Sequence, residues 1–97
     1  MNFESFRKQI ESTLNSNVSF ELQEFHFEPY SFGNGTLAYR INGQIHKFIF
    51  DGRENELKWM KSKPHQKYFG AELDAYKSFE GLNLAESELL EGIKKST

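Results

Sequence analysis

Three observations predict an α+β fold for this chain. Apolar residues recur at helical spacing near the N-terminus, an Asn42-Gly43 dipeptide sits between two alternating runs, and the order of elements is helix, then strands, then helix. The expected architecture is an N-terminal helix, a four-stranded antiparallel β-meander and one or two C-terminal helices packed on the sheet, all in a single α+β domain spanning 1–97. At 97 residues there is room for one core and little more.

The first helix begins after Asn2, a good N-cap, and places Phe3, Phe6, Ile10 and Leu14 on one face. It should end near Asn15 and Asn17, which favour turns. Val18, Phe20 and Leu22 then alternate with polar residues, as a half-buried strand requires. The apolar phase slips afterwards, because Phe25 and Phe27 are odd-numbered. A bulge near Gln23-Glu24 restores a single buried face, and Pro29 closes the strand.

The Asn42-Gly43 pair is a strong type I′ hairpin signal, and a two-residue loop dictates register. Ile41 is expected opposite Gln44, Arg40 opposite Ile45, Tyr39 opposite His46, Ala38 opposite Lys47, Leu37 opposite Phe48, Thr36 opposite Ile49 and Gly35 opposite Phe50. Opposed residues share a face. One face therefore collects Leu37, Tyr39, Ile41, His46, Phe48 and Phe50, and the other Thr36, Ala38, Arg40, Ile45, Lys47 and Ile49.

Asp51-Gly52 opens a second turn, and Glu56 to Met60 reads as the fourth strand, with Leu57 and Trp59 in phase. Pro64 resembles a helix entry, and Phe69, Leu73 and Tyr76 fit a helix that Gly81 stops, with residues 64–70 as an alternative loop. Asn83 and Glu86 form a capping-box pattern ahead of a last helix striped by Ala85, Leu89 and Ile93 beside Leu90, with Lys94 and Lys95 suited to its C-terminal end.

Composition narrows the function classes. No Cys is present, which removes disulfides, thiolate nucleophiles and thiolate metal sites. The opening residues lack a signal-like apolar run and no transmembrane stretch occurs, so a soluble, cytoplasmic protein without a membrane role is expected. Net charge is -2, distributed as -3 over residues 1–39, +4 over 40–67 and -3 over 68–97. Such alternation fits complementarity between neighbouring elements as well as an anionic partner.

Catalytic and cofactor chemistry finds no support in the pattern, and the expectation is a non-enzyme without cofactors or metal. His26 and His46 fall on opposite faces of the sheet, so they do not converge on one ion. The Gly33-Asn34-Gly35 run precedes a strand, whereas a phosphate cradle needs a following helix. Tyr39 opposite His46 is the one acid–base pairing, and with Trp59 it suggests a small-molecule pocket, but a core hydrogen bond is the favoured explanation of the pair.

Two surfaces remain as binding candidates. Ile45 and Ile49, rimmed by Arg40 and Lys47, need cover from a helix of this chain, a partner protein or a second copy. The segment 58–68 interleaves Lys58, Lys61, Lys63 and Lys67 with Trp59 and Tyr68, as a single-strand nucleic-acid binder would, although the chain is acidic and has no nucleic-acid motif, and a Trp59 that packs inward is the favoured reading. The preferred expectation is a small protein–protein interaction domain, inhibitor- or immunity-like, or a homodimer, engaging an acidic partner.

Overall fold

The computed structural model describes residues 2–30, 32–63 and 73–94. Helix α1 (Phe3–Asn17) is followed by strands β1 (Phe20–Glu28), β2 (Asn34–Ile41), β3 (Gln44–Asp51), β4 (Glu56–Ser62) and β5 (Leu73–Glu80), then helix α2 (Glu86–Lys94). The strands form one antiparallel meander in sequential order. Asn2 caps α1, its side chain accepting from the Ser5 amide at 2.8 Å.

The β2–β3 register follows from the turn. Asn42 and Gly43 take φ of 51° and 78°, and all seven opposed pairs from Ile41–Gln44 to Gly35–Phe50 form as the two-residue loop requires. In β1 the register shifts between Leu22 and Glu24, leaving Gln23 as the extra residue. That bulge turns Phe20, Leu22, Phe25 and Phe27 toward α1 and puts Glu21, Glu24, His26 and Glu28 on the other side.

Both helices pack on the same side of the sheet. Phe3, Phe6, Ile10 and Leu14 of α1 join Leu84, Leu89 and Ile93 around α2 over Leu37, Tyr39, Ile41, Phe48, Leu57 and Trp59. Gly35 is covered by the Phe3 ring, so a Cβ there would meet three ring carbons at 2.7 Å. Ring contacts run Phe3–Phe6, Phe6–Phe48 and Phe48–Trp59, at centroid separations of 5.9, 6.1 and 5.1 Å. Such aromatic chains combine large buried area with favoured tilted and edge geometries.

The sheet has five strands, not four. Leu73 and Tyr76, expected on a helix, belong to β5, whose phase slips opposite Trp59 and Met60 so that Tyr76 and Phe79 both reach the core. Two residues at i and i+3 satisfy a helical period and a bulged strand alike; pairing with β4 decides the matter. One C-terminal helix follows, and Gly81 (φ 65°) reverses the chain after a strand rather than stopping a helix. The Asn83 capping box is also corrected: Asn83 Nδ2 donates to the Glu80 carbonyl at 2.7 Å, and Leu84 rather than Ala85 is buried. The expected helix entry and loop over 64–70, and Lys95, lie outside the described residues.

Candidate functional site

The sheet face away from the helices carries Glu24, His26, Thr36, Ala38, Arg40, Ile45, Lys47, Ile49, Lys58 and Met60, and no described helix packs on it. Little of its apolar surface is open. Ile45 is 1% exposed, and Ala38 lies between its cross-strand partners Glu24 and Lys47, whose charged ends meet at 3.2 Å. Ile49 is half-buried, so the apolar patch expected around Ile45 and Ile49 is small.

The same face changes character at one end. Antiparallel pairing aligns Glu28, at the end of β1, with Asn34; Asp51, at the end of β3, with Glu56; and Glu56 with Glu80. Carboxylates are therefore set directly opposite one another, an arrangement that costs stability unless something neutralises it. His26 Nε2 lies 2.6 Å from Glu28 Oε1, and Lys58 Nζ 3.7 Å from Glu56 Oε1. A concavity of about 270 Å³ between His26, Glu28, Thr36, Ile49 and Asp51 opens on this end.

Above that end stands the β1–β2 connection. Tyr30 is fully exposed and Phe32 68% exposed. Phe32 takes φ of 62°, rare and strained for a bulky residue, and Gly33 follows at 73°. What holds this conformation is the β3–β4 turn: Asn34 Oδ1 accepts from the Gly52 amide at 2.7 Å, the Phe32 carbonyl lies where any Cβ of residue 52 would stand, and the Arg53 guanidinium sits 5.7 Å from the Phe32 ring centroid. Asp51 Oδ1 accepts from the Arg53 and Glu54 amides at 3.0 and 3.2 Å, closing that turn, and Gly81 N–H donates to the Asn55 carbonyl at 2.6 Å. The two aromatic rings project from an interlocked set of loops.

The residues expected to line a pocket are brought together but enclosed. Trp59 Nε1 donates to His46 Nδ1 at 3.1 Å, which leaves the proton of the neutral ring on Nε2, and that atom is buried without a partner. Burial first, and the Lys61 charge second, push His46 down to about 3. The Tyr39 hydroxyl does not reach His46; it donates to Glu11 Oε2 at 2.8 Å, where Arg7 Nε also lies at 2.8 Å. Burial, then the Glu11 contact, raise the Tyr39 hydroxyl well above its ordinary range.

The basic–aromatic set divides between two sides of the sheet. Lys58 and Lys63 are exposed, whereas Trp59 is fully buried and Lys61 nearly so. Lys61 Nζ donates to the Gly92 carbonyl at 2.7 Å and lies 3.5 Å from the Tyr76 ring centroid, fastening α2 to the sheet. Among the described residues no group of three His, Asp or Glu side chains is placed to hold a metal ion, and no helix is long and apolar enough to cross a membrane.

Tyr30, Phe32 and the carboxylate alignment are absent from the residues expected from sequence to bind. The signal for the first two was a pair of large apolar rings in a turn, between Pro29 and Gly33, where no core can receive them. Comparisons with protein-family models, curated proteins and solved structures find no match for this chain.

Proposed function

We propose that this chain is a non-catalytic protein-binding domain whose anchors are Tyr30 and Phe32. The observation that carries this reading is Phe32: an apolar ring held in water by a left-handed backbone that Asn34 and the Gly52 turn maintain. Strain of this kind persists only where surrounding contacts over-determine it, and exposed rigid aromatics are the side chains that dominate protein interfaces. Glu28, Asp51, Glu56 and Glu80 at the same end favour a partner of positive charge, in place of the acidic partner that the lysines suggested.

The test compares immobilised wild type with the Tyr30→Ala/Phe32→Ala double variant in capturing proteins from the source lysate. Neither ring supports the core, so the double variant should melt within about 0.5 kcal/mol of wild type. Specific partners should be lost from it and be released from wild type by salt. Equal capture by both proteins would refute the assignment.

A further inference from the structure

Among the described residues, strand β1 is an edge of the sheet. Edge strands are commonly guarded by lysine or proline; Phe20–Glu28 contains neither and carries Glu21, Glu24 and Glu28. Its hydrogen-bonding directions follow from the hairpin. A two-residue turn makes Ile41–Gln44 a hydrogen-bonded pair, so Ile41, Tyr39, Leu37 and Gly35 address β3 while Arg40, Ala38, Thr36 and Asn34 address β1. Their partners Glu21, Glu24, His26 and Glu28 point their backbones inward, and those of Phe25 and Phe27 point away from the sheet.

Below the bulge, Glu24–Glu28 is thus a regular run with an outward-facing ladder. On the helix side of that ladder Phe25 is 36% exposed beside a concavity of about 260 Å³, lined by Glu4, Arg7, Lys8 and Glu11 of α1. On the other side stand Glu24 and Glu28.

We propose that the β1 edge receives a strand from a cationic partner, in the pattern Lys/Arg, apolar, any residue, apolar, Lys/Arg. Deepening the reading of a protein-binding domain, this assignment rests on it. The apolar residues stand opposite Phe27 and Phe25, and the cations join the Glu28 and Glu24 carboxylates, beside their contacts with His26 and Lys47. A second copy of this chain is the wrong occupant, because pairing β1 with itself brings three carboxylates from each copy into one ladder.

The probe is a blocked five-residue peptide, Lys-Val-Thr-Val-Lys, titrated to 5 mM at low salt against the isotopically labelled chain, on the order of the weak affinities such short strands reach. Expected are shifts centred on Phe25 and Phe27, exchange of those two amides slowed about twofold at half-saturation, and loss of binding when the peptide's lysines become glutamates. The Glu24→Lys/Glu28→Lys variant should reverse that preference. Binding elsewhere, no protection at either amide, or equal binding of both peptides would overturn the proposal. The Tyr30→Ala/Phe32→Ala variant should bind the peptide normally, so failure of the edge and failure of the aromatic anchors are read separately.

Discussion

At the scale of single residues, the informative side chains are those whose surroundings contradict their chemistry. His46 is a titratable ring that is fully buried, and burial, with the Lys61 charge second, holds its pKa at about 3 against an ordinary 6.5. The unfolded chain therefore takes up a proton that the folded chain refuses. The contribution is fully present above pH 6.5 and is lost as pH falls toward 3, at up to about 1.4 kcal/mol per unit. Unfolding measured between pH 6.5 and 5 should show this slope in wild type and a smaller one in His46→Gln, which keeps an acceptor for Trp59. Gly92 is the second case. Trp59's ring occupies the space of a Cβ there, so Gly92→Ala should cost roughly 1–3 kcal/mol and change Trp59 fluorescence. Ile45→Asp should unfold or severely destabilise the protein, because a carboxylate would replace a side chain that is 1% exposed. Ile49→Asp should be milder.

At the scale of elements, the legible parts were those governed by local rules. The α1 stripe, the Asn2 cap, the slip in β1 and the β2–β3 register each depend on residues close together in the chain, so periodicity and turn chemistry suffice. The Asn42-Gly43 turn should also respond locally: Gly43→Ala, at φ 78°, is expected to cost about 1–2 kcal/mol in a urea melt. The illegible part was β5. Its spacing of Leu73, Tyr76 and Phe79 matches a helix, and only its pairing with β4, bulged opposite Trp59 and Met60, makes it a strand. Its sequence neighbours place Lys61 at a basic surface, yet the Tyr76 ring and the Gly92 carbonyl, both from distant segments, draw it inward.

At the scale of the whole molecule, placing both helices on one side makes that side the core and leaves the other to charge. The meander then aligns carboxylates from separate strands at one end, with Asp51, Glu56 and Glu80 facing each other in turn. Glu80→Lys should raise stability by a few tenths of a kcal/mol in a low-salt thermal melt, with the gain shrinking at high salt, because it replaces a like-charge pair with an opposite one. If the acidic end serves the proposed interface, the same variant should weaken partner capture, so stability and binding would move in opposite directions. By itself the sequence determined α1, the hairpin and its register, and the inward residues of β1 to β3, since these follow from covalent neighbours and the period of a strand. Tertiary structure alone decided that β5 pairs with β4, that Lys61 turns inward, and that Phe32 is held outward by the turn at Gly52. Those outcomes depend on contacts between residues far apart in the chain, and no local pattern encodes which distant surface will arrive.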